Sequence, residues 1–307
     1  MADPLALTFA GLFAFLAAAS LAGWSLVRRH GATPTLRNLN ERIRSWWIMV
    51  AILALAFALG RTATILLFAL GSFWCLREFL SLTPTRRADH YALAAAFYLF
   101  LPLQYWLLVD PWIGVFVIAI PVYGFLLLPT LAMAQGETED FLQRVAKVQW
   151  ALMLAVYCLS HAPALLILDI PGPAGALGAL AFLLLIAQAS DVAQYVFGKR
   201  FGRTRLAPSV SPSKTREGLV LGGLAAILLG GAVHGLTPFG FWGALAMAAV
   251  VVAGGALGGL VLSAVKRSLG AKDWGSMVEG HGGMLDRMDS LAFSAPVFFH
   301  LTHYFWT

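Results

Sequence analysis

The sequence predicts an all-α fold, a polytopic transmembrane helical bundle with about nine to ten membrane segments. Two observations support this class. Of the 307 residues, 60% are hydrophobic and 12% are charged, and the mean hydropathy is +0.79. A soluble core of this size does not need so much apolar surface. The apolar residues also form separate runs, several of them long enough for a helix to cross about 30 Å of hydrocarbon.

Ten apolar runs are candidates for membrane segments. Arg28 and Arg29 follow the first run, which is the reverse of the charge order in a cleavable signal peptide, so we expect an uncleaved anchor. Two short runs around Gly60 leave open whether residues 46–76 cross once, cross twice or re-enter. The runs are 5–27, 47–60, 62–76, 91–108, 112–133, 148–168, 172–190, 219–233, 239–265 and 291–306.

The charges are distributed unevenly between the two sides of the predicted membrane. If the short pair crosses twice, every Lys and Arg except Arg61 falls on one side, out of 21 in all. The positive-inside rule predicts that this side is cytoplasmic and that both termini lie outside. The net charge of +6 suits contact with anionic lipid headgroups. Nucleic-acid binding is not expected, because the basic residues are spread over loops tethered to a bilayer.

Polar residues divide the chain into two parts. Residues 1–171 are predicted to be N-terminal transmembrane helices with short loops. Residues 172–307 are predicted to be the catalytic region, with two polar cytoplasmic loops at 191–218 and 266–290. Cys75 and Cys158 lie in apolar runs without CxxC spacing, so the sequence supports neither a disulfide framework nor a zinc site. No repeat at a fixed period is evident.

The first polar loop combines one carboxylate with many cations. Asp191 directly follows an apolar run, where an unpaired charge is costly, so we expect it to have a cation partner. Gly198 and Gly202 flank two basic residues, and a turn-rich stretch follows in which backbone N–H groups can point at an anion. The alternative is an ordinary positive-inside loop. The candidate phosphate-binding residues of this loop are Ser211, Lys214 and Thr215.

The second polar loop is denser in charge. Lys266 and Arg267 close a long apolar run, a position that suits cations through the helix dipole. Lys272 and Asp273 follow after a short turn. The glycines around His281 allow the backbone to approach a bulky ligand closely.

Two further carboxylates stand at the end of this loop. Asp286 and Asp289 are three residues apart, so they share a face if the last helix begins near residue 284. Together with Asp273 they predict a hard-metal site, because Mg²⁺ prefers a few carboxylate oxygens plus substrate phosphates and water. The alternative is structural: Asp286 caps the last helix, and Asp289 pairs with Arg287 or Lys272.

These residues resemble a known signature. The segment from Ser263 to Asp289 resembles that of the phosphatidate cytidylyltransferase family, also called CDP-diglyceride synthase, and the upstream loop is similar too. The likeness covers roughly residues 172–299. Ser213 and Arg216 stand where Lys and Trp are expected, which suggests a divergent branch and leaves a paralogue with a changed lipid substrate open. The matching upstream residues are Asp191, Tyr195, Gly198, Gly202, Ser211, Pro212, Lys214, Thr215, Glu217 and Gly218.

The resemblance implies an activity and its partners. It implies transfer of CMP from CTP to phosphatidic acid, giving CDP-diacylglycerol and pyrophosphate, with Mg²⁺ as the required metal. In such a reaction a lipid phosphate oxygen attacks the α-phosphorus of CTP, so charge repulsion and alignment are the obstacles, and a metal and cations address both. The resemblance also suggests a homodimer in the bacterial inner membrane, surrounded by membrane lipids, with the active site facing the cytoplasm.

The hypothesis assigns roles to particular residues. Asp273, Asp286 and Asp289 bind the metal, with Asp191 as a further ligand or orienting carboxylate. His281 contacts a phosphate or the ribose, and Ser211 and Thr215 hydrogen-bond phosphate oxygens. The cations that hold the CTP phosphates or the lipid headgroup are Lys214, Lys266, Arg267, Lys272 and Arg287.

Other functions and weaker candidates stay open. A CTP-dependent polyprenol kinase would use similar groups, whereas a transporter is disfavoured because the spans hold almost no charge. Glu217 and Glu279 are equally well explained as solvated loop charges. Glu78 is either an ion-pair partner near Arg77 or part of the catalytic cavity. His300 and His303 are expected at the opposite membrane face, in an interfacial role.

Overall fold

The structure is a computed structural model that describes residues 4–31, 33–275 and 282–307. The predicted all-α fold is confirmed, because helices form nearly all of this part of the chain. The first nine helices are α1 (Pro4–His30), α2 (Pro34–Leu59), α3 (Arg61–Ser81), α4 (His90–Ala95), α5 (Leu101–Val109), α6 (Ile113–Ile118), α7 (Phe125–Met133), α8 (Phe141–Leu152) and α9 (Leu159–Ala164). They are followed by α10 (Gly175–Phe201), β1 (Arg205–Ala207), β2 (Ser211–Thr215), α11 (Arg216–Ala232), α12 (Gly240–Ser268) and α13 (Leu285–Trp306).

Three pairs of short helices continue through π-helical turns into membrane-length rods. The turns are Ala96–Phe100, Ala119–Gly124 and Met153–Cys158, which join α4 to α5, α6 to α7 and α8 to α9. Two of them contain or adjoin a proline, Pro121 and Pro102. A proline lacks the N–H that an α-helix needs, and a wider turn accommodates it. The predicted runs at 91–108, 112–133 and 148–168 therefore correspond to these rods.

Eight helical segments of the described chain are long and apolar enough to cross a membrane, which makes this a multi-pass membrane protein. They are Pro4–Arg29, Pro34–Leu59, Arg61–Ser81, Arg87–Val109, Ile113–Met133, Phe141–Ile167, Gly175–Phe201 and Gly240–Ser268. The other two predicted segments are also helices, α11 with 17 residues and α13 with 22. Every apolar run found in the sequence is thus helical.

The segment around Gly60 forms two separate helices. Gly60 has a φ of 97°, which a glycine adopts readily, and it ends α2 and precedes α3. The two runs looked short because α2 begins well before the apolar stretch, at Pro34, where the Thr33 hydroxyl accepts a hydrogen bond from the Leu36 N–H at 3.3 Å. The helices have 26 and 21 residues, so each can span a bilayer.

The two predicted polar loops are shorter than the sequence suggested. The prediction of loops at 191–218 and 266–290 is wrong in its boundaries, because α10 runs to Phe201, α12 runs to Ser268 and α13 begins at Leu285. Helices extend past their apolar stretch until a helix breaker ends them, here Gly202 and Gly270. Half of the twelve predicted site residues therefore lie on helices, namely Asp191, Lys266, Arg267, Asp286, Arg287 and Asp289.

The remaining loop after α10 contains a small β-hairpin. β1 and β2 are antiparallel, with Arg205 opposite Thr215 and Ala207 opposite Ser211. The Arg205 guanidinium donates a hydrogen bond to the Pro212 carbonyl. The hairpin leads directly into α11, so its second strand positions residues 211–215 next to α10 and α12.

A buried ion pair ties the loop after α3 to the start of α8. Arg144 Nε lies 2.9 Å from Asp89 Oδ1, and both side chains are 3% exposed. Arg144 also donates to the Glu139 carbonyl at 2.7 Å. At the rim, Arg86 donates to Glu139 Oε2 at 2.8 Å, and this hydrogen bond lowers the pKa of Glu139 below its ordinary value. These contacts hold the helices of the first half together at one end of the bundle.

Candidate active site

Glycines bring α10 and α11 into close contact beside the hairpin. A Cβ added to Gly218 would lie 2.8 Å from Gly198 Cα, and one added to Gly202 would lie 2.8 Å from Thr215 Oγ1. Gly198 and Gly202 were expected to frame a phosphate-binding loop. In the structure they instead permit close packing of α10 against Thr215 and α11. The Thr215 hydroxyl, which is almost buried, accepts a hydrogen bond from the Gly218 N–H at 3.1 Å and caps α11.

Glu217, in the first turn of α11, contacts the loop that leads into the hairpin. Its carboxylate accepts hydrogen bonds from the backbone N–H groups of Arg203 and Thr204, at 3.0 and 3.1 Å. Because the Glu217 carboxylate is bound to the loop backbone, the structure supports neither a freely solvated charge nor a direct catalytic role for this residue. Ser211 is half-buried at the opposite end of β2, where it pairs with Ala207.

Lys214 reaches from β2 across α12 toward the carboxylates. A Cβ added to Gly259 would lie 2.5 Å from Lys214 Nζ and 3.7 Å from Asp289 Oδ2. The ammonium and the carboxylate thus lie on the same small patch of α12, and the absence of a side chain at Gly259 makes room for both. Lys214 also acts electrostatically on Asp191 and Asp289.

Asp191 and Asp289 come together through Ser290. The Ser290 hydroxyl donates to Asp191 Oδ2 at 2.9 Å, and the Ser290 backbone N–H donates to Asp289 Oδ1 at 2.7 Å. The two carboxylates repel each other electrostatically, while Lys214 stabilises the charge of both. The charges of Lys214 and Arg287 both act on Asp191. These contacts use one oxygen of each carboxylate.

Asp286 has a different set of partners from Asp289. Lys266 Nζ lies 2.5 Å from Asp286 Oδ1, and the side chains are 10% and 6% exposed. Asp286 Oδ2 accepts hydrogen bonds from the backbone N–H groups of Trp274 at 2.8 Å and Gly283 at 2.9 Å. The carboxylate therefore joins both ends of the segment between α12 and α13. This geometry favours the structural alternative for Asp286 and makes Lys266 its counter-ion.

Glu78 reaches the site from the first half of the chain. Its carboxylate, on a residue 5% exposed, accepts hydrogen bonds from the backbone N–H groups of Met284 and Leu285, both at 2.9 Å. Negative charge at a helix N-terminus is stabilising, so Glu78 of α3 caps the N-terminus of α13. Trp274 adds an apolar anchor, because its ring is stacked on Phe79 with centroids 4.9 Å apart. The sequence left open whether Glu78 is an ion-pair partner near Arg77 or part of the catalytic cavity. The structure places its side chain beside the site.

The remaining predicted residues lie at the edge of the site or outside the residues that the structure describes. Lys272 and Asp273 are exposed. Arg267 donates from Nε to the Val210 carbonyl at 3.3 Å and from Nη1 to the Ala271 carbonyl at 3.2 Å, so it fastens the hairpin to the end of α12. Arg287 lies in the first turn of α13, and its carbonyl accepts from Gln188 Nε2 at 3.3 Å. The predictions for His281 and Glu279 fall outside the described residues.

Among the described residues, Asp191 and Asp289 are the two acidic side chains that Ser290 brings together. Within residues 4–31, 33–275 and 282–307, no three His, Cys, Asp or Glu residues are grouped so that they could hold a metal ion. Asp191 and Asp289 nevertheless fit Mg²⁺, which is usually held by one or two carboxylates and completed by substrate phosphates and water. The donor set is hard oxygen, and one oxygen of each carboxylate is not used by the contacts described above.

Ser290 and Gly259 are site residues that sequence reasoning missed. Ser290 follows Asp289 directly, and Gly259 is one of several glycines in α12. A serine beside a carboxylate in the first turns of a helix was a usable signal for Ser290. Nothing in the sequence pointed to Gly259, because its importance depends on which residue of β2 crosses α12. His300, by contrast, packs its ring 5.3 Å from that of His161 near the C-terminal end of α13, the end opposite Asp286.

The fold and site define a multi-pass membrane protein whose carboxylates, cations and hairpin converge at one end of α10, α12 and α13. A sequence model of the cytidylyltransferase family matches residues 40–305. The chain therefore belongs to the cytidylyltransferase family and is a nucleotidyltransferase.

Individual relatives match the chain to different extents. The chain is 38% identical over 303 residues to the uncharacterized protein YnbB of Escherichia coli, covering 97% of this chain and 98% of that protein. It is 42% identical over 111 residues to the phosphatidate cytidylyltransferase of Aquifex aeolicus, covering 36% and 41%. The phosphatidate cytidylyltransferase of Mycobacterium leprae is 41% identical over 129 residues, covering 41% and 40%. The chain thus spans less than half the length of these two enzymes.

Proposed function

We propose that this protein transfers CMP from CTP to phosphatidic acid, giving CDP-diacylglycerol and pyrophosphate. The observation that carries the proposal is the convergence of Asp191 and Asp289 with Lys214 in a chain of the cytidylyltransferase family. The names of the partial relatives support phosphatidic acid as the acceptor. We further propose that the protein lies in a bacterial inner membrane, that its site faces the cytoplasm and that it forms a homodimer.

The side chains of the site would act on charge and alignment. The attacking oxygen belongs to the lipid phosphate and the leaving group is pyrophosphate, so no protein nucleophile is required. Lys214 would offset the negative charge of the two substrates where they meet. Asp191 and Asp289 would hold Mg²⁺ through their remaining oxygens, and the metal would supply charge neutralisation at the phosphates. Lys272 and Arg267, at the rim, remain candidates for the outer phosphates of CTP.

The supports of the site would keep these groups in place. Glu78 fixes the start of α13, which carries Asp289, and the ion pair of Lys266 with Asp286 fixes the segment before it. Catalytic groups must be held within fractions of an ångström of the productive geometry, so such supports affect turnover without touching substrate. We assign Asp286 and Lys266 to this positioning role in place of direct metal or phosphate binding.

The reaction products test the proposed function. Purified protein in detergent receives CTP labelled at the α-phosphorus, Mg²⁺ and phosphatidic acid. We expect a labelled lipid and release of pyrophosphate, with the reaction lost on chelation by EDTA and restored by added Mg²⁺. In a parallel reaction that supplies a polyprenol in place of phosphatidic acid, formation of labelled CDP together with the phosphorylated alcohol would instead identify a CTP-dependent lipid kinase.

The relative that matches the whole chain has no assigned substrate, so the acceptor lipid needs its own control. The assay is therefore repeated with a diacylglycerol and with a polyprenyl phosphate in place of phosphatidic acid. Turnover with phosphatidic acid alone supports the proposal. Turnover with the polyprenyl phosphate alone would retain the nucleotidyl transfer and overturn the lipid assignment.

A further inference from the structure

A cation from the N-terminal helices reaches the helix that carries Asp191. Arg42 of α2 places its Cζ 5.8 Å from the ring centroid of Tyr195 on α10. Lys199, one turn further along α10, places its Nζ 5.1 Å from the same centroid. Two positive charges from different helices therefore flank one aromatic side chain.

This arrangement continues the face of α10 on which the site lies. Tyr195 follows Asp191 by four residues, so the two side chains share a face of the helix. The rise of an α-helix separates their backbones by about 6 Å. A ligand that occupies the space beside Asp191 can thus extend along α10 to Tyr195 and its two cations.

The two cations have no anionic partner in the described part of the chain. No described carboxylate forms a salt bridge with Arg42 or Lys199. The Nε of Arg42 is buried and has no hydrogen-bond partner among these residues. A buried N–H group without a partner costs free energy, and an anion beside the two cations would offset their mutual repulsion. The geometry therefore suits an anionic ligand.

A phosphate is the anion that best fits a guanidinium and an ammonium, because a guanidinium binds phosphate oxygens in a bidentate manner. Both substrates of the proposed reaction carry phosphate, and the position of Arg42 favours the lipid. Trp46 and Trp47 follow it on α2, and tryptophan rings are typical of the headgroup level of a bilayer. The indole of Trp47 also donates to Ser20 Oγ at 3.0 Å on α1.

We propose that Arg42, with Lys199 and Tyr195, binds the phosphomonoester headgroup of the acceptor lipid beside Asp191. Two cations select a phosphomonoester over a phosphodiester, because the monoester carries more negative charge and one more free oxygen to bind than a headgroup esterified on both sides. The identity of the acceptor rests on the proposed function, but the lipid-binding site itself does not.

A binding experiment without CTP tests the site directly. Purified wild-type protein, Arg42→Gln, Lys199→Gln and Arg42→Lys are titrated with phosphatidic acid and, separately, with phosphatidylglycerol in detergent micelles. Arg37→Gln is the matched control, since Arg37 is exposed on the same helix. We expect each Gln variant of the site to bind phosphatidic acid about tenfold more weakly, the size of one lost charge-assisted hydrogen bond. The control should change much less, and Arg42→Lys should bind with an affinity between those of the wild type and Arg42→Gln, because it keeps the charge but loses the bidentate geometry.

Kinetics then distinguish the two sources of phosphate. In Arg42→Gln the KM for phosphatidic acid should rise about tenfold while the KM for CTP stays unchanged. A rise in the KM for CTP alone would overturn the lipid assignment. Unchanged phosphatidic acid binding in both Gln variants would overturn the site. If the wild type makes no cytidine-bearing lipid but binds phosphatidic acid in an Arg42-dependent manner, the proposed function fails and the binding site stands.

Discussion

The central contact of the site joins residues that are far apart in the chain. The Ser290 hydroxyl donates a hydrogen bond to Asp191, which lies 99 residues earlier in the chain. The Ser290 backbone N–H donates to Asp289, so the two carboxylates lie close together. Two carboxylates held this close are costly unless cations or a metal offset their charge. Lys214 supplies part of that charge from the hairpin. These electrostatics support the proposal that Asp191 and Asp289 bind the metal.

Asp289→Asn removes a charge from this pair without changing its shape. We expect turnover to fall by about a hundredfold or more, the usual loss when a preorganised electrostatic group is removed. Asp110→Asn, an exposed residue between α5 and α6, is the control and should keep wild-type turnover. The measurement is the rate of pyrophosphate release with the oligomer profile on gel filtration as a check of folding. Near-normal turnover of Asp289→Asn would exclude Asp289 from the metal site.

Gly259→Ala tests the position of Lys214. The added methyl group would lie 2.5 Å from Lys214 Nζ, so the flexible end of the lysine must move away from the carboxylates. We expect activity to fall about tenfold or more, since a displaced charge loses much of its interaction, while the thermal midpoint in detergent changes little. Gly11→Ala, where the methyl group would meet open space, is the control. Equal activity of the two variants would contradict the assigned position of Lys214.

At the scale of elements, α13 depends on a carboxylate from α3. The N-terminus of a helix leaves N–H groups unpaired, and Glu78 satisfies those of Met284 and Leu285. The ion pair of Lys266 with Asp286 then links α12 to the same helix end. The helix that carries Asp289 is thus held by both halves of the chain, so the predicted catalytic half is not structurally independent of the first.

Glu78→Ala should weaken this attachment. We expect a loss of stability of about 1–2 kcal/mol, the usual cost of losing a helix cap, together with a fall in turnover and little change in the KM for CTP. Glu41→Ala on α2 is the control for loss of a carboxylate. Thermal midpoints in detergent and steady-state kinetics measure the two effects. Wild-type stability and turnover in Glu78→Ala would show that the cap has no positioning role.

At the scale of the whole molecule, the charges make the protein asymmetric across the bilayer. The basic residues of the hairpin and of the ends of α10 and α12 lie at the site end of the bundle. Because basic loops are retained on the cytoplasmic side, we expect the site to face the cytoplasm.

Cysteine labelling checks this orientation. Single cysteines are introduced as Ser213→Cys and Asp110→Cys in a chain whose Cys75 and Cys158 are replaced by alanine. Both positions are exposed, the first in the hairpin and the second between α5 and α6. We expect a membrane-impermeant maleimide to label intact cells only through Asp110→Cys, and to label both after lysis. Labelling of Ser213→Cys in intact cells would reverse the proposed topology.

The sequence determined the membrane class and the ten helical segments, and it predicted the end of the molecule where the chemistry lies, because hydropathy and charge are local properties. It also predicted that Asp191, Asp289 and Lys214 belong to one site, and the structure brings these three side chains together. Tertiary structure decided the rest: that Asp286 is bound to Lys266, that Gly198 and Gly202 serve packing, and that Glu78 holds α13. These outcomes depend on which side chains meet across helices distant in sequence, and no local pattern records such a meeting.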